Sequence, residues 1–472
     1  MRTEVVLETL GRFLQLYSVL TFLPTAVAFY YSEPFLNYSG FIAASLLSLI
    51  LGTVLRFLGS DQRIQVSEAL FSTVLGWLMA SMIGSIPLLV ELGLVNALFE
   101  ASSGLTTTGI SMVLNPGALP KSLLFWRSFM QWIGGLGILT FFIAVIRESG
   151  GATRRLYSAE AHKADPGSIR PSLQRSVVDL WKVYGFLTSL IIAVYIGLGM
   201  PVFDSLIHAF SGISTGGFST SASSIGAFSN AIQAATIPFM VIGGVNFVLL
   251  YRLFRSDVKA LVKNSEFRLY IGIFVLLGLA ASIAYPGALT DSLLKGFFQA
   301  AALVSSTGYS NAGLAALPLA LQSLIIGVMF VGGSIGSTSG GVKVFRVKVM
   351  YELLKSRLRS FRLPESAVNE VTIDHEILGD KQVKMVSVIF FSWVALVFCS
   401  TLAVQFFDGV SLRAAVSGTV SAVGNMGPMF MSGEQLVSLS PGSKLVWIVG
   451  MVAGRLEMVP LLAIFNMELF EN

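Results

Sequence analysis

The sequence predicts an all-α membrane protein with ten transmembrane helices: two N-terminal helices, then four span–re-entrant helix–span units in a pseudo-fourfold arrangement. Three observations support this fold class. The chain of 472 residues is 54% hydrophobic and only 12% charged, whereas a soluble domain carries roughly 25% charged residues. It contains ten long apolar segments. A short glycine-centred word recurs four times between those segments.

The apolar segments are long enough to cross a bilayer, which requires about 20 mostly apolar residues. They lie near residues 13–31, 41–58, 68–93, 122–146, 180–199, 230–254, 268–285, 317–350, 384–407 and 443–468. The first is longer than a typical signal-peptide core and lacks a clear cleavage site, so we expect a retained span. The eighth contains "GGSIGSTSGG" at 332–341, which predicts a break. Backbone released from a helix at membrane depth must be shielded by protein or line a wet cavity.

Basic residues predict the orientation. Most of the 31 Lys and Arg residues lie near the N-terminus and within 56–63, 147–182, 252–268 and 343–384. The positive-inside rule then places both termini and these loops in the cytoplasm. Contact with lipid headgroups explains part of the same charge. We therefore interpret the net charge of +5 as a topology signal and expect no nucleic-acid partner. The single cysteine, Cys399, lies in an apolar run, which predicts a small buried side chain.

The repeated word is "TTTGI", "STGGF", "SSTGY" and "GNMGP", aligned on Gly109, Gly217, Gly308 and Gly427. A short apolar, helix-compatible stretch precedes each copy. About 25 residues after each aligned glycine comes a second landmark: Gly134-Gly135, Gly243-Gly244, Gly332-Gly333 or Gly454-Arg455. One such word alone is usually an ordinary turn, but four aligned copies with a common landmark indicate a repeat.

The repeat divides the chain into five parts. Residues 1–63 hold the two N-terminal helices, and the four units occupy 64–150, 176–258, 264–356 and 380–472. The third unit includes an intramembrane gating loop at 332–341. Arranged around one axis, the four short helices would point their partially negative carboxyl ends at a common centre, which favours a cation there.

The word after each short helix suits a cation-conducting filter. Extended backbone can present carbonyl oxygens that replace the hydration shell of a monovalent cation. Glycine permits the backbone twist that turns a carbonyl towards the axis, and the hydroxyls can form hydrogen bonds behind it. A ring without formal charge suits a weakly hydrated cation such as K⁺ better than Ca²⁺ or Mg²⁺, which recruit carboxylates.

Long motifs extend this interpretation to a known family. The sequences "FEASSGLTTTG", "FDSLIHAFSGISTGGFST", "FQAAALVSSTGYS", "FVGGSIGSTSGGVKVFRV" and "GRLEM" resemble the Trk, Ktr and HKT potassium-uptake superfamily. Two helices before the first unit favour its TrkH-type membrane subunits. The resemblance implies a potassium-translocating, gated and K⁺-selective subunit rather than an enzyme. It also implies K⁺ as the transported ion and no organic cofactor in this chain.

The resemblance assigns site residues by motif. The selectivity filter is expected at Thr107, Thr108, Gly109, Thr215, Gly216, Gly217, Ser306, Thr307, Gly308, Asn425, Met426 and Gly427. The fourth unit departs most, because its word has no hydroxyl. The gate is expected at Gly332, Gly333, Ser334, Gly336, Ser337, Thr338, Ser339, Gly340, Gly341, Lys343 and Arg455. A simple helix kink is the alternative for the loop.

Arg455 is the least expected residue of a spanning segment. A charge at mid-span costs about 2.5–3.5 kcal/mol even on the lenient insertion scale. The resemblance implies an electrostatic barrier to cations below the filter, and the alternative is a salt bridge to Glu100 or another buried carboxylate. Glu457, two residues on, would point elsewhere on a helix. Lys343 is a candidate for pairing at the cytoplasmic end of the loop. For His208, at the start of the second re-entrant helix, we favour capping or packing over proton relay.

Regulation is expected to come from a partner, because no glycine-rich nucleotide loop stands between a strand and a helix. The resemblance implies a homodimer in the cell inner membrane above a TrkA-type ring of nucleotide-binding regulatory subunits. A secondary transporter would show two inverted repeats, and a membrane enzyme would need clustered His, Asp or Glu. A non-conducting scaffold would not need four filter words. The sequence leaves open whether K⁺ flux is coupled to H⁺ or Na⁺ as in a symporter.

Overall fold

The computed structural model describes residues 1–62, 64–148, 173–361, 370–374, 376–458 and 460. In these ranges, six helices are long and apolar enough to cross a bilayer, and a bent helix pair makes a seventh candidate. The chain is therefore a helical, multi-pass membrane protein. The predicted count of ten spans includes segments that are broken, or that lie partly outside the described residues.

The two N-terminal helices, Thr3–Tyr30 and Phe35–Leu58, pack closely because glycines face each other. A Cβ atom on Gly11 would lie 2.7 Å from the carbonyl oxygen of Gly52. Small residues of this kind let helix backbones approach in membranes. The pair attaches to the first unit through Tyr17, whose hydroxyl donates to the carbonyl of Ala80 at 3.0 Å.

Each of the four units consists of a leading helix, a short pore helix and a trailing helix. The leading helices are Val66–Ser85, Leu173–Gly197, Ser265–Ala284 and Asp380–Asp408. The pore helices are Leu94–Leu105, Val202–Ile213, Leu289–Val304 and Leu412–Gly424. The trailing helices are Lys121–Glu148, Asn230–Gly243 with Phe247–Phe254, Leu319–Val331 with Val344–Ser360, and Pro441–Arg455.

The four trailing helices differ. The first is continuous. The second bends by 107° between Gly243 and Phe247, so the segment predicted as one span over 230–254 is not one continuous helix. Asn246 starts the new helix, with its side chain accepting from the amide of Val248 at 2.8 Å, as an N-cap does. The third is interrupted after Val331, as predicted.

The fourth trailing helix ends at Arg455. This residue was expected at the middle of a span over 443–468, and the structure instead places it at a helix end. Most residues after Met458 lie outside the described residues. The helix begins with Pro441 after Ser440, whose side chain accepts from the amide of Ser443 at 3.4 Å; Pro at the first helical position needs no donor there.

Smaller elements complete the described chain. Two short strands, β1 (Val371–Ile373) and β2 (Glu376–Leu378), pair antiparallel with Thr372 opposite Ile377. Short helices span Ile86–Leu88, Leu89–Leu92, Pro116–Ala118, Ser224–Ala227, Val258–Lys263, Leu314–Ala316 and Gly433–Ser438. The sequence did not predict the strands, which together comprise only six residues.

The buried core gathers around the ends of the pore helices. The aliphatic residues that precede each aligned glycine by four positions are all buried: Leu105, Ile213, Val304 and Val423. Cys399 is not part of this core. Its side chain is exposed, so the prediction of burial was wrong. The leading helix around it is apolar on every side, and the sequence therefore does not distinguish its core face from its lipid face.

Candidate functional site

The four repeated words share one backbone shape. Thr107, Thr215, Ser306 and Asn425 have positive φ angles of 54°, 54°, 57° and 50°. The glycines two positions later have φ angles of 80°, 78°, 75° and 94°. A left-handed conformation costs a residue with a Cβ atom about 1–2 kcal/mol, so its occurrence at the same position of four units indicates a shared constraint.

The four words also meet one another in a closed circle. At each glycine, an added Cβ atom would press against the carbonyl oxygen that precedes the glycine of the next unit, and the fourth unit returns to the first. The glycine–oxygen pairs are Gly109 with Gly216, Gly217 with Thr307, Gly308 with Met426, and Gly427 with Thr108. The distance from the added Cβ atom to the carbonyl oxygen is 2.6 Å or shorter in three pairs and 3.1 Å at Gly427. Only glycine therefore lets the segments approach this closely.

Side chains behind the words form the hydrogen bonds expected of them. The hydroxyls of Thr106 and Thr108 are 2.7 Å apart, and those of Ser305 and Thr307 are 2.6 Å apart. In the fourth unit, the amide of Asn425 takes over this role. It donates to the hydroxyl of Thr108 at 2.9 Å and to a backbone carbonyl at 2.9 Å. The word without a hydroxyl thus keeps the same backbone shape.

The first three pore helices end directly before their words, at Leu105, Ile213 and Val304, and the fourth ends at Gly424, the first residue of its word. All four ends are buried. The partial negative charge of a helix carboxyl terminus is strongest within its last turn. Four such ends beside one ring of backbone therefore make this place favourable for a cation without any carboxylate.

Gln131 is a site residue that the sequence analysis missed. It lies on the first trailing helix and is fully buried. Its side-chain amide donates to the carbonyl of Gly216 at 2.7 Å and accepts from the amide of Phe218 at 3.2 Å. Two hydrogen bonds from the first unit thus hold the repeated word of the second unit. The available signal was a polar side chain three residues before Gly134 in an apolar segment, where such residues join helices.

The predicted gating loop lies against the inner ends of the pore helices. Residues 332–340 are buried. The hydroxyl of Thr338 is 2.9 Å from the carbonyl of Ile213 and 3.1 Å from that of Gly243. The amide of Gly341 donates to the carbonyl of Gly424 at 2.8 Å, and that of Gly340 donates to the hydroxyl of Ser306 at 2.6 Å. The loop therefore contacts the second, third and fourth units at once.

Arg455 binds carbonyl groups instead of a carboxylate. Its guanidinium donates to the carbonyl of Thr338 in the loop at 2.7 Å and to that of Gly134 in the first unit at 3.0 Å. The alternative of a salt bridge to Glu100 was wrong, because Glu100 pairs with Arg127 at 2.7 Å. Arg455 is 3% exposed, so its charge is buried between the loop at 332–341 and the first trailing helix.

The other charged candidates have separate partners. Glu457 lies beyond the helix end and pairs with Arg346, and the ammonium of Lys343 donates to the carbonyl of Ser339 within the loop. His208 lies inside the second pore helix rather than at its start. Its ring nitrogens are 2.7 Å from the carbonyl of Asp204 and 2.9 Å from the hydroxyl of Ser219. Those bonds agree with a packing role.

Known proteins are similar to this chain in both sequence and structure. The family TrkH, described as "Cation transport protein", matches residues 38–271 and 271–471. The Trk system potassium uptake protein TrkH of Salmonella typhimurium is 30% identical over 486 residues, covering 99% of both chains. An uncharacterized cation transporter of Methanocaldococcus jannaschii is also 30% identical, covering 99% of this chain and 96% of its own.

A solved structure is similar along its whole length. The crystal structure of the potassium transporter TrkH from Vibrio parahaemolyticus has a TM-score of 0.90 and 28% sequence identity, with 100% of each chain covered. The family match, the relatives and the shared fold agree with the resemblance inferred from the motifs. This chain belongs to the TrkH family of cation transport proteins.

Proposed function

We propose that the chain is the potassium-translocating subunit of a Trk-type uptake system, and that K⁺ passes through the circle formed by the four repeated words. The observation that carries this proposal is the closed contact between each glycine and the carbonyl preceding the next unit's glycine. A circle of backbone groups with equal conformations can offer carbonyl oxygens to an ion from every side. Its relatives from Salmonella typhimurium and Escherichia coli are named as potassium uptake proteins.

The proposed ligands are backbone groups of the three central residues in each word. They are Thr107, Thr108 and Gly109; Thr215, Gly216 and Gly217; Ser306, Thr307 and Gly308; and Asn425, Met426 and Gly427. These positions are uncharged, which favours a monovalent, weakly hydrated cation over Ca²⁺ or Mg²⁺. The pore-helix ends supply the long-range attraction that brings a cation to this point.

The proposed gate is the loop at 332–341 together with Lys343 and Arg455. The loop is held by hydrogen bonds to three units, and it must leave the ion path before K⁺ can pass. Arg455 adds a barrier, since a buried positive charge repels a cation more strongly than an exposed one. Because Arg455 also bonds the loop, opening and removal of the barrier are coupled in this proposal.

The apolar helices and the distribution of basic residues support the proposed membrane setting. We place the chain in the cell inner membrane as a homodimer, with both termini in the cytoplasm. The basic segments on that side are the proposed docking surface for a TrkA-type ring of nucleotide-binding subunits. The relatives' names, which assign them to a Trk system, support the need for other components.

Flux of ⁸⁶Rb⁺ into liposomes that contain the purified chain tests the function. We expect uptake driven by an inside-negative potential, inhibited by external K⁺ at lower concentrations than by Na⁺. Liposomes with heat-denatured protein are the control. Absence of uptake at any potential, with protein that remains monodisperse, would contradict the proposal.

A further inference from the structure

Every pore helix carries a buried residue nine positions before its aligned glycine, and this residue differs in type from unit to unit. The four occupants are Glu100, His208, Gln299 and Gly418, and all of them are buried. They lie behind the filter words, and three of them form hydrogen bonds to the chain that leaves the filter. At this repeat position, the pore helices of the first three units therefore hold the chain that follows their own filter segments.

In the second and third units, neutral groups occupy the site. His208 lies 2.9 Å from the hydroxyl of Ser219, two residues after the aligned glycine. The side-chain amide of Gln299 donates to the side chain of Asn311 at 3.2 Å and to the carbonyl of Ala312 at 3.0 Å. Each bond joins the pore helix to the segment that follows its filter word.

The fourth unit fills the same site without a charged group. Gly418 leaves a space, and the ring of Trp447 occupies it: a Cβ atom on Gly418 would lie 2.5 Å from that ring. Trp447 stands seven residues before Gly454 on the trailing helix, as Arg127 stands seven residues before Gly134. Glu100 with Arg127 and Gly418 with Trp447 are thus equivalent pairs, and the fold itself does not require charge at this position.

The first unit nevertheless places a buried ion pair there. The Nε atom of Arg127 donates to Glu100 at 2.7 Å, and the two side chains are 1% and 0% exposed. The same carboxylate accepts from the amide of Met112 at 2.6 Å and from the hydroxyl of Ser111 at 3.0 Å. Arg127 also donates to Ser111 at 2.9 Å. Both charges therefore hold the two residues that follow Ile110 at the exit of the first filter segment.

Arg127 reaches the second unit as well. Its guanidinium carbon lies 4.3 Å from the centre of the Phe218 ring, a cation–π distance. Phe218 follows Gly217 directly, and its backbone amide is bound by Gln131. One ion pair thus braces two of the four filter segments.

A buried ion pair is weak evidence for stability, since well-packed apolar residues often replace one without loss. Trp447 shows such packing at the equivalent position of the same fold. What the ion pair adds is direction, because a carboxylate with three defined donors and a planar guanidinium fix their neighbours at set distances. Discrimination between two alkali cations depends on the number and the orientation of the coordinating carbonyls.

We infer that Glu100 and Arg127 are positioning residues for the filter, which hold the first and second segments at the spacing that prefers K⁺ to Na⁺. Neither residue touches the ion. The inference rests on the proposed function, because it concerns the selectivity of the same conduction path.

The test compares variants by the ratio of the Na⁺ and K⁺ concentrations that halve ⁸⁶Rb⁺ uptake into liposomes. The double variant E100Q/R127Q removes both charges together, and R127K keeps the charge but loses the planar fork. We expect both to lower the ratio roughly threefold to tenfold, the range that loss of one hydrogen bond corresponds to. F218L, which leaves the ion pair intact and removes only the ring, should shift the ratio in the same direction by a smaller factor.

The matched control is E68Q. Glu68 is also fully buried, and it accepts from Arg2 at 2.9 Å and from the amide of Gln65 at 2.8 Å, but it lies at the start of the first leading helix, away from the filter. We expect E68Q to lower thermal stability without changing the ion ratio. If the double variant does not fold, R127K and F218L decide the question.

Two results would overturn the inference. One is a Na⁺-to-K⁺ ratio of half-inhibiting concentrations that equals the wild-type ratio in R127K and F218L. The other is a change of this ratio in E68Q as large as in E100Q/R127Q and R127K. A wild-type protein that conducts without preferring K⁺ would contradict the proposed function itself. Failure of the proposed function is thus distinguishable from failure of the positioning role, which is judged on the variants.

Discussion

The four repeated words share one backbone conformation, whereas the four trailing helices beside them differ in form. In the circle of words, four different sequences adopt one backbone shape, with φ angles within a few degrees of one another at the left-handed residue. Beneath it, four trailing helices that share a landmark glycine adopt four different forms: one is continuous, one is bent by 107°, one is broken, and one ends at Arg455.

The difference shows what each layer must do. An ion at the centre of a circle needs equal neighbours on all sides, and backbone groups provide them whatever the side chains are. The gate that we propose needs one element that can move while the others stay in place, and the loop at 332–341 of the third unit is the longest interruption in the described parts of the trailing helices. Symmetry is therefore maintained through the backbone, and asymmetry enters through helix breaks and single side chains.

The largest expected effect comes from breaking the circle at one glycine. In Gly109→Ala, the added Cβ atom meets the carbonyl oxygen of Gly216, and the left-handed backbone alone costs about 1–2 kcal/mol. We expect the Na⁺-to-K⁺ ratio of half-inhibiting concentrations to fall about tenfold or more. Gly427→Ala is the matched control, because its nearest oxygen is 3.1 Å away, and its effect should be smaller. A wild-type ratio in Gly109→Ala would refute the close contact.

Arg455 tests the asymmetric layer. Arg455→Ala removes a charge beneath the filter and two hydrogen bonds to the carbonyls of Thr338 and Gly134. We expect ⁸⁶Rb⁺ uptake to rise roughly tenfold, since two like unit charges roughly 4–16 Å apart repel by about 1–4 kcal/mol at an effective dielectric constant of 20.

Arg455→Gln separates the two causes. Glutamine can donate to the same carbonyls without the charge, so uptake equal to that of the alanine variant indicates electrostatics, and uptake near the wild type indicates hydrogen bonding. Slower uptake in folded Arg455→Ala would contradict both roles.

A smaller effect is expected at the base of the gating loop. Glu266, on the third leading helix, is 4% exposed and accepts from the amide of Ile335 at 2.8 Å. Glu266→Ala leaves that buried amide without its acceptor, at a cost of about 1–3 kcal/mol. We expect unstimulated ⁸⁶Rb⁺ uptake to rise about threefold with an unchanged ion ratio. Glu266→Gln keeps an acceptor and should stay near the wild type; a changed ratio in either variant would place Glu266 in the filter layer instead.

The sequence predicted the symmetric layer better than the asymmetric one. Glycine is required where φ is positive and a neighbouring carbonyl is close, so Gly109 and its three equivalents were visible as a pattern. The break at 332–341 was visible because glycine and serine are poor helix formers. These features arise from local chemistry.

The missed features depend on contacts between distant segments. Beyond the bend that follows Gly243, the backbone amide of Phe247 donates to the carbonyl of Gly336 in another unit. No local sequence pattern predicts this contact. The partners of Arg455 are carbonyl groups, and every residue has one, so a search for carboxylates led to Glu100. Gln131 was overlooked because a single amide in an apolar segment has no motif.

The contacts between the last unit and the first have a consequence for biosynthesis. Asn425 reaches Thr108, Arg455 reaches Gly134, and Lys444 donates to the side chain of Asn96 at 2.9 Å. Because the ribosome makes the units in order, the fourth unit is made after the other three. A nascent polypeptide therefore lacks these hydrogen bonds between its first and last units until the fourth unit has been made.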